Sequence, residues 1–141
     1  MRSRTATAAL FALLIAGCAP AAPEVTARDV IVTLPAVPGH PGAGYFTLET
    51  NQAQTRLTGV ASPKAQRIEM HEAEMRQVES VAFTSGEPLA FAAGGRHAMI
   101  FGLDPSLKAG GRIPLTFVFD NAPPITVEAE LRRPGDVHGR H

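Results

Sequence analysis

Hydrophobic and polar residues alternate with a period of two along most of the chain after Thr26. The alternation marks short segments rich in β-branched and aromatic residues, such as GYFTLET, IPLTFVFD and PITVEAEL. Clusters of Gly, Pro, Asn and Asp, such as PGHPGAG and DPSLKAGG, separate these segments. A period of two is typical of strands with one buried face, and no segment keeps a helical period over three turns. The pattern therefore predicts an all-β domain of about eight or nine short antiparallel strands, arranged as a sandwich or barrel.

The alternation also assigns side chains to the two faces of the sheet. In the segment IPLTFVFD, one face carries Leu115, Phe117 and Phe119. The last segment places four apolar residues on one face: Ile125, Val127, Ala129 and Leu131. Thr126, Glu128 and Glu130 occupy the other face of that segment. Apolar residues on one side and polar residues on the other are expected of a half-buried antiparallel sheet.

The first 20 residues, MRSRTATAALFALLIAGCAP, have the pattern of an export signal. A basic start is followed by an apolar run from Ala8 to Ala16, which is too short to span a bilayer. The end of the run, from Ile15 to Cys18, resembles the bacterial lipobox, in which the cysteine is acylated. We therefore expect a lipoprotein in the bacterial periplasm, with a plain signal peptide as the alternative. Ala19 after the cysteine favours the outer membrane.

These features divide the chain into four parts. Residues 1–17 form the predicted signal peptide, 18–26 an Ala/Pro-rich lipidated tether, 27–132 the β-domain and 133–141 a flexible tail that contains histidines. Without residues 1–17 the chain has 11 basic and 13 acidic residues and no basic stripe, so no nucleic-acid partner is expected. Its single cysteine is the predicted lipidation site, so the domain has no disulfide and depends on its core.

All three methionines after the initiator lie close to a histidine in the middle of the chain. Met70 precedes His71, and Met75 follows it by four residues. In a strand, Met70 shares a face with Ile68, so we expect Met70 in the core and His71 pointing away from it. Met75 begins the next segment, and a short turn would bring it back beside His71.

The second pair lies in the segment HAMIF, where His97 and Met99 share a face and Ala98 and Ile100 lie opposite. Residues two apart in a strand are roughly 6.5–7 Å apart, so both side chains can converge on one ion. Two imidazoles and two thioethers form a soft, neutral donor set that favours Cu(I) over Zn²⁺, Ca²⁺ or Mg²⁺. A blue-copper site needs a cysteine thiolate, which this domain lacks. The sequence contains no GxSxG, phosphate-loop or HExxH motif that would indicate an enzyme.

The order of these residues resembles the PCuAC-type periplasmic copper chaperones. The family signature is a His, a Met and a long gap before His-x-Met, which here corresponds to His71, Met75, 21 intervening residues, and His97 with Met99. The segments AGYFTLET, SPKAQRIEMHE and GGRHAMIFGL also resemble the family. The resemblance implies a cupredoxin-like Greek-key β-barrel that binds one Cu(I) through these four residues. It also implies a carrier rather than an enzyme, delivering copper to an acceptor protein in cytochrome c oxidase assembly.

The chain departs from this family between its first His and its first Met. Only the residues EAE separate His71 from Met75, where the family has a longer segment. If the short turn does not aim Met75 inward, Met70 or a tail histidine is the alternative ligand. The tail histidines, His138 and His141, are also candidates for Cu(II). Two alternative functions remain: copper storage or resistance with the same site, and a non-metal β-sandwich lipoprotein in which the His/Met set has no role.

Overall fold

The computed structural model describes residue 17 and residues 19–136, which form ten strands. The strands are β1 (Val25–Thr33), β2 (Gly42–Thr50), β3 (Thr55–Ala61), β4 (Arg67–His71), β5 (Gln77–Val78), β6 (Val81–Phe83), β7 (Leu89–Phe91), β8 (His97–Phe101), β9 (Arg112–Phe119) and β10 (Ile125–Arg132). Most of the predicted signal peptide, the predicted lipidation site Cys18 and the tail residues His138 and His141 lie outside the described residues. In the described part of the chain, no helix is long and apolar enough to cross a membrane.

The strands form one sheet in the order β5-β4-β8-β2-β1-β10-β9-β3-β6, with β7 also pairing with β2. The sheet curls into a nearly closed barrel, so the all-β, cupredoxin-like prediction is confirmed. There are ten strands because the segment MRQVESVAF forms two, β5 and β6, separated by Glu79 and Ser80. The pairing of β1 with β10 is parallel. Because no short loop joins the first strand to the last, nothing forces that pair into the antiparallel arrangement of a hairpin.

The core lies between the walls of the barrel and centres on three aromatic side chains. Phe46 stacks on Phe91 with ring centroids 4.4 Å apart. The rings of Phe46 and Phe117 pack in a T-shaped arrangement with centroids 4.7 Å apart. The predicted alternation is confirmed in β8, where Ala98 and Ile100 are fully buried. In β10 the two later residues of the apolar face are buried, and the two earlier ones pack partly buried against the core.

A close approach of two strands positions β8, the strand that carries His97 and Met99. The strand β8 lies between β4 and β2, and its residue Ala98 pairs with Gly44 of β2. A Cβ atom on Gly44 would lie 3.2 Å from the Ala98 Cβ, so the glycine permits a close approach of the two strands.

Near the start of the chain, β1 begins at Val25, so Val25 and Thr26 of the predicted tether belong to the sheet.

Candidate metal centre

The antiparallel register of β4 and β8 brings the two mid-chain histidines together. His71 is the cross-strand partner of His97, and their rings are nearly parallel, with centroids 5.6 Å apart. Directly opposite residues on one face of an antiparallel pair are the closest side-chain neighbours in a sheet. Two of the four predicted ligands, 26 residues apart in sequence, therefore lie side by side on one face.

His71 lies on the face opposite Met70, as predicted, but it is not exposed. Met70 is in the core at 4% exposure, and His71 is also buried, at 8%. His71 is buried on that outer face because neighbouring groups cover its ring. Its Nδ1 lies 3.1 Å from the Met75 carbonyl oxygen, and its Nε2 lies 3.2 Å from Oε2 of Glu69.

The turn between β4 and β5 explains how Met75 contacts the His71 ring. Glu72 donates its backbone N–H to the Arg76 carbonyl at 2.8 Å, which closes a three-residue loop of Ala73, Glu74 and Met75. Three-residue hairpin loops end in a left-handed residue, usually glycine. Here that residue is Met75, with φ of 62°. The turn aims its carbonyl at the His71 ring while its side chain is 57% exposed.

The strand β8 supplies the other pair of predicted ligands. His97 and Met99 are both half-buried on the same face of the strand, as predicted. The Nδ1 of His97 lies 3.1 Å from the Gly95 carbonyl oxygen. A ring nitrogen that faces a carbonyl oxygen can only donate its proton there, so the contact directs Nε2 toward a ligand. Met99 is the cross-strand partner of Glu69.

The sequence pattern does not identify Glu69 and Arg67 as site residues, because charged side chains on an outer strand face are usually solvated. The Arg67 side chain donates to Glu69 at 2.8 Å and its guanidinium lies 3.9 Å from the centroid of the Phe101 ring. The hydrogen bond from Arg67, and then that from His71, lowers the pKa of Glu69 below its ordinary value. Their spacing indicates the cluster, since Arg67, Glu69 and His71 occupy every second position of β4 and therefore share one face.

A second ion pair flanks the site on the two adjoining loops. Arg96, just before β8, donates to Glu72, just after β4, at 3.0 Å. The pair ties the β4–β5 turn to the segment that leads into His97. Because both side chains are partly exposed, its contribution is mainly to geometry, at about 0–1 kcal/mol of stability.

The donors in this region fit a soft ion better than a hard one. Within residues 19–136, no group of three or more His, Cys, Asp or Glu side chains is placed to hold a metal ion. The two adjacent imidazoles therefore need further ligands of another kind. Met75 lies in the β4–β5 turn and Met99 lies on β8, and thioether sulfur of this type suits Cu(I).

The comparison with known proteins agrees with this fold. The family model described as "Putative lipoprotein LpqE-like" matches residues 25–131. The chain belongs to the LpqE-like family. No curated protein sequence matches it.

The solved structures that are similar to the chain include the following three. "Copper-bound PCuAC domain from PmoF2" is 19% identical with a TM-score of 0.71, covering 78% of this chain and 93% of that one. "Solution structure of CuI-DR1885 from Deinococcus Radiodurans" is 23% identical with a TM-score of 0.65, covering 89% and 85%. The apo form of the same Deinococcus radiodurans protein is 21% identical with a TM-score of 0.61, covering 98% and 97%. The likeness to PCuAC domains is thus confirmed for the fold over most of the LpqE-like chain.

Proposed function

We propose that this LpqE-like protein is a periplasmic copper chaperone that binds one Cu(I) through His71, Met75, His97 and Met99. The observation that carries the proposal is the register of His71 against His97, which sets two imidazoles face to face, with Met99 on the same face of β8 as His97. Solved structures of the same fold are described as copper-bound and as CuI forms, which supports the choice of metal. In this proposal the protein is a carrier, anchored to the membrane through Cys18, and not an enzyme.

The position of the ligands suits an ion that must be given away. Neutral imidazole and thioether donors hold Cu(I) without a thiolate, so an acceptor with stronger sulfur ligands can displace them one at a time. Met75 is the most accessible of the four residues, since its side chain is 57% exposed. We expect it to be the first ligand released. The proposed recipient is an acceptor protein in cytochrome c oxidase assembly.

Titration with Cu(I) under reducing conditions tests the ligand set. The substitution Met99→Ala removes a half-buried thioether from the site and should lower the affinity at least tenfold while the β-sheet circular dichroism is kept. The matched control is Met70→Leu, which changes a core methionine on the opposite face of β4 and should leave the affinity unchanged. Equal Cu(I) affinity of Met99→Ala and the parent protein would refute the assignment of Met99 as a copper ligand.

X-ray absorption and a transfer assay separate the remaining functions. One equivalent of bound copper with both sulfur and nitrogen in its shell supports the site, whereas no binding supports a non-metal lipoprotein. Loaded protein that passes copper to a thiolate-containing copper-centre assembly protein supports delivery. Tight retention in the presence of that acceptor supports storage or resistance instead.

A further inference from the structure

The segment before β1 is held against the barrel by Asn51, the first residue after β2. The Asn51 side chain donates Nδ2 to the Ala22 carbonyl at 2.9 Å and accepts the Glu24 N–H at its Oδ1, also at 2.9 Å. Its backbone N–H donates to the Glu24 carbonyl at 3.2 Å, and the Thr50 hydroxyl donates to the same carbonyl at 3.1 Å. The chain is thus fixed from Ala22 onward, three residues before the first strand.

This clamp shortens the free part of the predicted tether. If the whole span from Cys18 to Thr26 were free, eight residues could extend by up to about 28 Å. With Ala22 fixed, only four residue steps separate the predicted lipidation site from the barrel, which limits the reach to about 14 Å. Pro20 and Pro23 restrict the backbone of this stretch further.

Three turns lie at the end of the barrel that carries Asn51, namely β2–β3 (residues 51–54), β6–β7 (residues 84–88) and β9–β10 (residues 120–124). In the last of these, Asn121 donates its side-chain N–H to the Gln54 carbonyl at 2.8 Å. The Ser85 N–H donates to the Gln52 carbonyl at 2.8 Å, which joins the turns into one surface. None of these turns contains Lys or Arg, and their charged residues are Glu87 and Asp120. Contact of this surface with a bilayer would therefore rest on proximity and polar headgroup contacts, without attraction to anionic lipids.

We infer that the barrel stands on the membrane with this Asn51 end facing a phospholipid bilayer. The inference rests on the lipid anchor of the proposed function, and it adds an orientation that a free tether would not impose. It also sets the height of the candidate copper site. Ala98, beside His97, pairs with Gly44, which is six residues before Thr50 on β2. At about 3.3 Å per residue the site lies about 20 Å above the membrane-facing end.

Depth-dependent quenching tests the orientation in the acylated full-length protein, reconstituted into phosphatidylcholine vesicles that contain nitroxide-labelled lipid. A fluorophore is attached to Ala53→Cys in the β2–β3 turn or to Val37→Cys, an exposed position in the loop at the opposite end of β1 and β2. We expect several-fold stronger quenching at position 53 than at position 37. Equal quenching at both positions, or none at either in the vesicle-bound protein, overturns the inference.

Substitution of the clamp provides the second measurement. Asn51→Ala removes both side-chain contacts, and it should reduce the quenching at position 53 toward that at position 37. Asn51→Asp keeps an oxygen for the Glu24 N–H but cannot donate to Ala22, so it provides an intermediate variant if Asn51→Ala does not fold. Unchanged quenching in a folded clamp variant argues against the clamp as the cause.

The same samples separate this inference from the proposed copper function. Cu(I) titration of each labelled protein reports the ligand set independently of orientation. Normal copper binding with equal quenching overturns only the orientation, and the expected quenching without copper binding overturns only the chaperone. Protein without a lipid on Cys18 should stay off the vesicles, and equal binding of the lipid-free and acylated proteins overturns both the anchor and the orientation.

Discussion

Met75→Gly should make the protein more stable and a weaker copper binder at the same time. Met75 has a φ of 62°, in the left-handed region that costs a side-chain-bearing residue about 1–2 kcal/mol. Glycine adopts this conformation without that cost but loses about 0.5–1 kcal/mol more backbone entropy on folding. The Met75 side chain is 57% exposed, so little burial is lost. The net gain expected is about 0.5–1 kcal/mol.

Thermal and urea unfolding of the metal-free protein measure this gain. For a domain of this size it corresponds to a rise in Tm of about 2–5 °C. Met75→Ala keeps the left-handed strain and removes the thioether, so it should bind Cu(I) as poorly as Met75→Gly without the increase in Tm. Glu74→Gly, in the same turn but without a positive φ, should lower the Tm.

Asp29→Gly is the control that separates strain from copper binding. Asp29 is the other non-glycine residue with a positive φ in the described chain, at 53°, and it lies away from the candidate site in a bulge of β1. Its exposed ion pair with Arg28 contributes little. We expect Asp29→Gly to raise the Tm and leave copper affinity unchanged. A Met75→Gly protein that is less stable than Met75→Ala, or that binds Cu(I) as tightly as the parent, would refute the reasoning.

Three further changes test the fold around the site. Phe46→Ala removes the ring at the centre of the aromatic core and should lower the free energy of unfolding in urea by about 3–5 kcal/mol. Gly42→Ala places a Cβ 2.7 Å from the Thr33 carbonyl oxygen, which is backbone, so the Tm should fall. Hydrogen bonds from Ser106 lower the pKa of Asp104 in the folded protein, so its contribution to stability is present above the ordinary carboxyl pKa and is lost as the pH falls through the lowered value. Urea unfolding from pH 6 to pH 3 should therefore show a smaller loss of stability for Asp104→Asn than for the parent, and parallel curves would contradict this.

The period-two pattern was sufficient to predict the fold because burial on one face dominates each strand. It predicted that Ala98 and Ile100 lie in the core and that His97 and Met99 face the other way, and both are observed. It did not predict the break between β5 and β6, since Glu79 and Ser80 interrupt the segment without a Gly or Pro to mark the turn. The parallel pairing of β1 with β10 joins the two ends of the domain and has no local signal in the sequence.

The two histidines of the candidate site could be identified from the sequence, but their contacts could not. The spacing of the His and Met residues identified which side chains could meet, yet the register that sets His71 against His97 depends on strands with β5, β6 and β7 between them in sequence. The burial of His71 also depends on Glu69 and on a main-chain oxygen, and a main-chain contact leaves no pattern in residue types. Sequence periodicity reports which face a residue occupies, and it does not report what covers that face.

The short β4–β5 turn links the stability of the hairpin to the proposed chemistry. A three-residue loop leaves Met75 as the left-handed residue, and in that conformation its carbonyl meets Nδ1 of His71 at 3.1 Å. The same contact fixes which nitrogen of His71 is left to face Glu69 or an ion. A glycine would serve the turn better, so retaining a methionine there is costly unless its thioether is used. The strain at Met75 is compatible with the proposed use of its thioether as a ligand, and the comparison with Asp29→Gly separates that role from strain alone.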